Sequence, residues 1–379
     1  MDLTGRDSED TADGGSSVRQ RRRFLWIDFL RGMSALAVTL HHLTSIGWLG
    51  MMHLGESGSS WFDRLCSLLA IPARFGGSCV VLFFIVSGFC IHYPQTAADK
   101  KLNLVVYARR RFLRIYPPYI AAIVFALVLV QIVAPANYAG SSVAQIIENV
   151  FMVQNYHAGS IAADPVLWSL PVEAELYLTY PLLLAIYLAK GIKIAVGGLV
   201  IISLIATVAG AFGWAAAAVN FLQYWLIWFS GAIVAQWVRV DDVPRVNRIA
   251  WSVLILASLA ALSLSLSRIA LGQVLCFAGA YFCVFWLGMS LPSRLKWLED
   301  PVAQPFQLLG RISYSLYLVH YPVLLACAEL YMRVFGAKPA NFLVSLSFVP
   351  VCILTAYVFY KLIEEPSHKL ARGGSSSGK

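Results

Sequence analysis

Apolar runs of about 20 residues, broken by short polar or basic stretches, recur along most of the chain, and a helix that crosses a bilayer needs a run of about that length. The pattern predicts ten spans, at 24–46, 76–94, 112–134, 168–189, 192–212, 214–238, 249–267, 270–291, 311–335 and 340–363. Residues 1–23 are polar, rich in Ser, Gly and Asp, and lack the apolar stretch of a cleavable signal. They read as a disordered cytoplasmic tail, as do 371–379. The expectation is an all-α polytopic membrane protein with about ten transmembrane helices, forming one domain over 24–370, with no internal repeat and no soluble second domain.

Charge gives the orientation. An even number of spans puts both termini on one side. With the N-terminus cytoplasmic, the inner segments hold 23 of the 29 Lys and Arg, the outer segments hold five, and Arg31 lies within a span. That asymmetry follows the positive-inside rule, so both ends are expected to be cytoplasmic. The same distribution accounts for the net charge of +9, and no nucleic-acid partner is expected. Composition agrees: 59% of residues are hydrophobic, 13% are charged and the mean hydropathy is +0.70, against about 25% charged in soluble domains. The seven cysteines show no metal-binding spacing and lie mostly in apolar runs, so neither a metal site nor a disulfide framework is expected. Two outer loops are long, 47–75 and 135–167. The second carries no Lys or Arg, and its stretch from Ile146 to Tyr156 suits an interfacial helix.

Against this apolar background the ionisable residues inside spans stand out, because each is costly there and marks a functional site. Arg31 and His42 are eleven residues apart in the first span. On a helix that is three turns and about 16 Å, so both project from one face. His41 points about 80° away from Arg31. Asp28 lies one turn before Arg31 and can pair with it. Ser87 and Gly88 in the second span suit close helix packing. Arg111 and Arg114 share a face at the start of the third span, and two guanidiniums at a cytoplasmic mouth suit a phosphate-rich ligand. The fourth span opens with Trp168 and carries Glu173, whose depth from the outer edge is similar to that of His42. Glu175 points about 200° away from Glu173. The ninth span places Tyr317 and His320 on one face, about 15 Å above the inner edge for His320. Glu364 closes the tenth span at the inner interface.

Six of these stretches, taken in order, resemble the integral-membrane acyltransferase-3 family, whose members include enzymes that O-acylate bacterial surface glycans. They are Asp28 with Leu30-Arg31-Gly32 and His42; Phe83 to Phe89; Arg111, Arg114, Ile115 and Pro117; Trp168 to Glu173; Ser313 to Pro322; and Glu364 to Pro366. The resemblance runs over about residues 24 to 370. Pro171 stands where the family often has Ser, and His41 doubles the single His of the family pattern, which leaves His41 open beside His42.

The resemblance implies a membrane O-acyltransferase in a bacterial cytoplasmic (inner) membrane. Its donor substrate would be acetyl-CoA or another short acyl-CoA, with no permanently bound cofactor, and its acceptor a glycan or glycolipid hydroxyl on the outer side. Arg111 and Arg114, with Arg31 deeper in, are then expected to bind the donor. His42 is expected to act as general base with Glu173 orienting it, while Asp28, Ser87, Trp168, Tyr317, His320 and Glu364 support the site. Direct transfer and an acyl-His relay both fit. The same intramembrane charges would also serve a transporter or flippase for an acyl or anionic substrate, although pseudo-symmetric halves are not evident. The topology makes a first prediction. A thiol introduced after Arg372 should be labelled by a membrane-impermeant reagent only in inside-out vesicles, and labelling in intact cells would reverse the orientation.

Overall fold

In the computed structural model the described residues are 7–45, 61, 65, 71–96, 102–133, 140–212, 220–239, 273–337, 339 and 342–373. Among them the secondary structure is helical throughout. In chain order the main helices are α1 Asp7–Ser45, α2 Cys79–His92, α3 Leu104–Val133, α4 Val143–Val150, α5 Ser169–Lys190, α6 Ile192–Ala211, α7 Phe221–Arg239, α8 Gln273–Ser290, α9 Gln304–Arg311, α10 Ser313–Phe335, α11 Phe342–Leu346, α12 Val349–Phe359 and α13 Glu365–Gly373.

Seven helical segments among the described residues are long and apolar enough to cross a membrane: Gly76–Gln95, Leu104–Val133, Pro165–Lys190, Ile192–Gly210, Phe221–Arg239, Ser313–Phe335 and Phe342–Arg372. An eighth exists if Cys276–Ser290 and Pro292–Glu299, bent by 89°, form one span. These cover eight of the ten spans expected from the apolar pattern. The expected span at 249–267 lies outside the described residues. The one at 24–46 is the second half of α1, which is long enough but diluted by Arg31, His41 and His42. α1 begins at Asp7, inside the stretch read as a polar tail.

The chain divides into two compact units. One holds Met1–Ser34, Val81–Ala97 and Phe229–Arg311. Here α1 meets α9 backbone to backbone. A Cβ on Gly32 would stand 1.9 Å from the Phe306 carbonyl oxygen, and one on Gly310 would stand 1.9 Å from that of Asp28. Only a residue without a side chain allows that approach. Phe29 fills the flank of the contact, its ring 5.0 Å from Trp297 and 5.5 Å from Phe306. Arg22 forks onto both carboxylate oxygens of Glu299 at 3.1 and 3.2 Å. Buried Arg23 donates to the Met289 carbonyl at 3.0 Å, in the last turn of α8, where helical carbonyls lack partners and a cation is favoured.

The other unit holds Ala35–Val80, Ala98–Trp228 and Ile312–Lys379. α10 is its buried centre and packs against α3 and α12, while α13 packs against α3. Val124, Val128 and Ile132 make an exposed apolar stripe along α3 at i, i+4 and i+8, which suits hydrocarbon rather than water. α5 ends at Gly191, in a positive-φ conformation that lets α6 begin at the next residue.

The stretch after α3 is built rather than loose. Ser142 and Gln145 form a capping box that starts α4. The Asn149 side chain donates to the Gly159 carbonyl at 3.0 Å and holds the loop closed. Tyr119 and Tyr116 donate to the carbonyls of Asn149 and Val150 at 2.8 and 3.1 Å. Tyr119 lies 14 residues, about 21 Å of helix, before the end of α3, so this segment folds back along α3. The α1–α9 contact makes a prediction. Gly32→Leu should destabilise the protein by at least about 1–3 kcal/mol, read as a lower unfolding temperature in detergent. Gly198→Ala, with nothing within 4 Å of the added carbon, should not lower it. Equal melting of Gly32→Leu and wild type would contradict the close approach.

Candidate active site

Two polar clusters lie in the second unit, joined along α10. Their construction starts from prolines. Pro117 and Pro181 sit inside α3 and α5, and a proline in a helix removes the N–H that would serve the carbonyl four residues earlier. For Pro117 that carbonyl is Leu113, and Ser367 on α13 donates its hydroxyl there. For Pro181 it is Tyr177, and Tyr107 on α3 donates its hydroxyl there at 2.9 Å. Tyr314 on α10 adds a bond to the Ile115 carbonyl at 3.0 Å. Side-chain hydroxyls thus replace the lost helical donors and tie α3 to α5, α10 and α13 where Arg111 and Arg114 project.

The Arg111 guanidinium lies over the rings of Tyr107 and Tyr177, 5.7 Å from each centroid, an arrangement that attracts a cation to the π face. Its Nε is buried without a hydrogen-bond partner. The Tyr177 hydroxyl, fixed by the same packing, donates to Glu173 at 2.5 Å. Tyr314 and Tyr177 both lie within electrostatic range of Arg114 and Glu173. Arginine donors and a carboxylate-bound phenol thus share one pocket of tyrosines.

Glu364 anchors this end. It is 1% exposed and belongs to a π-helical turn, Tyr360–Glu364, between α12 and α13. Its Oε2 accepts from the Ser315 N–H at 3.1 Å and from the Ser315 hydroxyl at 2.5 Å. Ser315 is the third residue of α10, where the N–H has no helical acceptor. Glu364 therefore caps α10, and its negative charge suits a helix N-terminus.

About one and a half turns further along α10 is the imidazole cluster. The His42 ring is 5.1 Å from His41, 5.2 Å from His320 and 5.4 Å from Tyr321, centroid to centroid. His41 Nδ1 is 3.1 Å from the Ala73 carbonyl, and a Cβ on Gly76 would collide with Ala37 and His41. The stretch around Gly76 therefore holds His41 turned onto the chain beside it. His320 is fully buried, and its Nδ1 lies 2.8 Å from the Tyr317 carbonyl and 3.1 Å from that of Leu316. Carbonyls only accept, so Nδ1 carries the proton and the Nε2 lone pair is free. Nε2 has no hydrogen-bond partner. The Tyr317 hydroxyl pairs with Ser169 at 2.7 Å and donates to the Val166 carbonyl at 2.9 Å. That pins the start of α5 against the His320 turn.

The residues singled out by sequence fall as follows. His42, His320 and Tyr317 come together. Arg111, Arg114 and Glu173 come together around Tyr177 and Tyr314, with Glu364 behind them. Glu173 lies one turn further along α5 than Ser169, on the side of the arginines. Trp168 stacks near Tyr224, centroids 6.0 Å apart, and its carbonyl accepts from Asn155 at 2.7 Å. Glu175 takes a structural part, accepting from the Tyr156 hydroxyl at 2.6 Å and the Phe221 N–H at 3.1 Å. Asp28, Arg31 and Ser87 belong to the first unit, where Asp28 lies within electrostatic range of Arg31 and Arg311.

Tyr107, Tyr314, Tyr321 and Asp164 were not singled out by sequence. Tyr107 and Tyr314 carried no signal in their spacing, since the carbonyls they reach lie 70 and 199 residues away in the chain. Asp164 had none, because a lone Asp in an outer loop reads as solvated. It is 0% exposed.

A family model described as an acyltransferase domain, of acyltransferase family 3, matches residues 24–361. A curated relative, the acyltransferase MdmB of Streptomyces mycarofaciens, is 26% identical over 164 residues, 40% of this chain and 40% of that protein. The match thus spans well under two thirds of that relative. No solved structure matches the chain.

The α10 cap gives a stability prediction. Glu364→Ala strands the Ser315 N–H and hydroxyl in a buried site and should cost about 1–3 kcal/mol, while Glu364→Gln, which keeps an acceptor, should cost less. Equal unfolding temperatures for the two variants and wild type would remove the cap from the account.

Proposed function

The chain belongs to the integral-membrane acyltransferase-3 family, and on that footing we propose that it moves a short acyl group, acetyl first among them, from cytoplasmic acyl-CoA to a hydroxyl of a glycan or glycolipid at the outer side. The observation that carries this reading is the pairing of two unlike clusters along α10. One offers arginine donors among tyrosines, and the other offers imidazoles. Tyr314 and His320 are six residues, about 9 Å of helix, apart, a separation that the extended arm of an acyl-CoA can bridge.

In the proposed reaction, Arg111 and Arg114 bind donor phosphates. The planar guanidinium gives paired, charge-assisted hydrogen bonds and stays ionised at any working pH. Glu173 holds the Tyr177 hydroxyl, whose ring lies against Arg111, and so keeps the guanidinium aimed. The thioester then lies beside His42. Neutral His42 takes the proton of the acceptor hydroxyl, the oxygen attacks the thioester carbonyl, and the carbon–sulfur bond breaks. The CoA thiolate leaves with the proton returned from the imidazolium. The imidazolium of His42 and the oxyanion on the former thioester carbonyl form as a pair, and the rings of His41, His320 and Tyr321 lie around His42.

Membranes carrying the protein, given labelled acetyl-CoA, should transfer label to their glycan or glycolipid fraction. His42→Asn should lower that transfer about 10²–10⁴-fold, the usual contribution of a general base. Arg111→Ala and Arg114→Ala should raise the KM for acetyl-CoA by roughly ten-fold or more, the worth of one charge-assisted hydrogen bond, with the KM for acceptor little changed. Transfer that survives His42→Asn, or an unchanged donor KM in both arginine variants, would overturn these roles.

A further inference from the structure

Two buried groups of the second unit lack a hydrogen-bond partner, and neither was given a bond to substrate in the reaction above. One is His320 Nε2, whose lone pair is fixed by the Nδ1 contacts to the Tyr317 and Leu316 carbonyls. The other is Asp164, in the outer segment just before α5. Neither of its carboxyl oxygens has a hydrogen-bond partner. Burial of an unsatisfied acceptor costs enough that such groups are normally paired, and here two occur in one neighbourhood. The Tyr317 hydroxyl donates to the Val166 carbonyl, two residues after Asp164, and the Tyr317 ring is 5.8 Å from that of His320. Asp164 acts electrostatically on both Tyr317 and Tyr321, and Tyr321 touches His42. Asp164 and His320 are thus linked through Tyr317, and Asp164 and His42 through Tyr321.

We propose that Asp164 and His320 form an acceptor subsite that holds a neutral vicinal diol, such as two adjacent hydroxyls of a sugar ring, next to His42. The fit is one of donor and acceptor counts. His320 Nε2 can only accept, so it requires a hydroxyl hydrogen. Burial pushes the Asp164 carboxyl well above the usual carboxylate range, and the Val166 N–H, close by but outside hydrogen-bonding geometry, opposes this only in part. As a neutral acid, Asp164 offers one donor and one acceptor. A diol supplies two hydroxyl hydrogens and two oxygens, and satisfies both groups at once. An ammonium on the acceptor would instead call for an ionised carboxylate, and a lone hydroxyl would leave one group unsatisfied. The subsite rests on the transfer reaction proposed above and adds to it the group that selects the acceptor.

The test uses the full-length protein in membranes, labelled acetyl-CoA, and the glycan and glycolipid fraction of the same cells as acceptor probe. Asp164→Leu and His320→Phe should each raise the acceptor concentration at half-maximal rate by roughly ten-fold or more, with the KM for acetyl-CoA within about two-fold of wild type. Asp164→Asn, which keeps a neutral donor and acceptor, should stay within about three-fold. Unfolding temperatures confirm that each variant is folded, and Asp164→Ala replaces the leucine where that side chain is not accommodated. Wild-type acceptor dependence in both apolar variants would mean that only water meets these groups, and would sink the subsite. Loss in Asp164→Asn equal to that in Asp164→Leu would show an ionised carboxylate and overturn the neutral diol. A matching rise in the acetyl-CoA KM would place both residues on the donor side. No transfer by wild-type membranes would defeat the activity itself, a result distinct from the other three.

Discussion

A carbonyl that loses its helical donor inside a membrane must find another, because no water is at hand to serve it. Pro117 and Pro181 create that demand, and Ser367 and Tyr107 meet it from other helices. The consequence reaches beyond the two carbonyls. The bond from Tyr107 fixes its ring beside Tyr177, and the two rings hold the Arg111 guanidinium. The bond from Ser367 holds α13 against α3, a few residues after Glu364, which caps α10. A local defect in backbone pairing is thus turned into the fixed geometry of a polar pocket.

Along α10 the same logic repeats with side chains. Glu364 satisfies the helix start. Tyr317 is tied to Ser169 and Val166, which seats α5 and the segment before it. His320 returns its Nδ1–H to the helix it stands on. Each bond removes freedom from α10 or the segments packed on it, and so helps to hold the imidazole cluster in place. The groups left over, His320 Nε2 and the Asp164 carboxyl, are the ones a ligand would complete.

Much of this was legible in the sequence, for a physical reason. Hydrocarbon thickness sets the length of an apolar run, so the spans of α3, α5, α6, α7 and α10 could be read directly. The cost of charge in that setting picked out Arg31, His42, Arg111, Arg114, Glu173 and His320. What could not be read was pairing between distant segments. Gly32 looked like part of a motif, but its need arises from a carbonyl on α9. Glu173 was expected at the level of His42 from helix rise alone; its bond to Tyr177 lies on the arginine side. The outer segment after α3 was expected as a long loop with an interfacial helix. Its bonds to Tyr116 and Tyr119 depend on tyrosines far from the loop in sequence. Asp164 is the clearest case, since burial of one carboxyl follows from how that segment folds back.

The proposed transfer runs across the membrane, from a donor on one side to an acceptor on the other. Purified protein in sealed liposomes, with labelled acetyl-CoA only on the side of its termini and the acceptor glycan only on the opposite side, tests it most directly. The account predicts labelled glycan on the far side and free CoA on the near side. Label that appears only when donor and acceptor share a compartment, or acetyl-CoA that crosses unreacted, would contradict it.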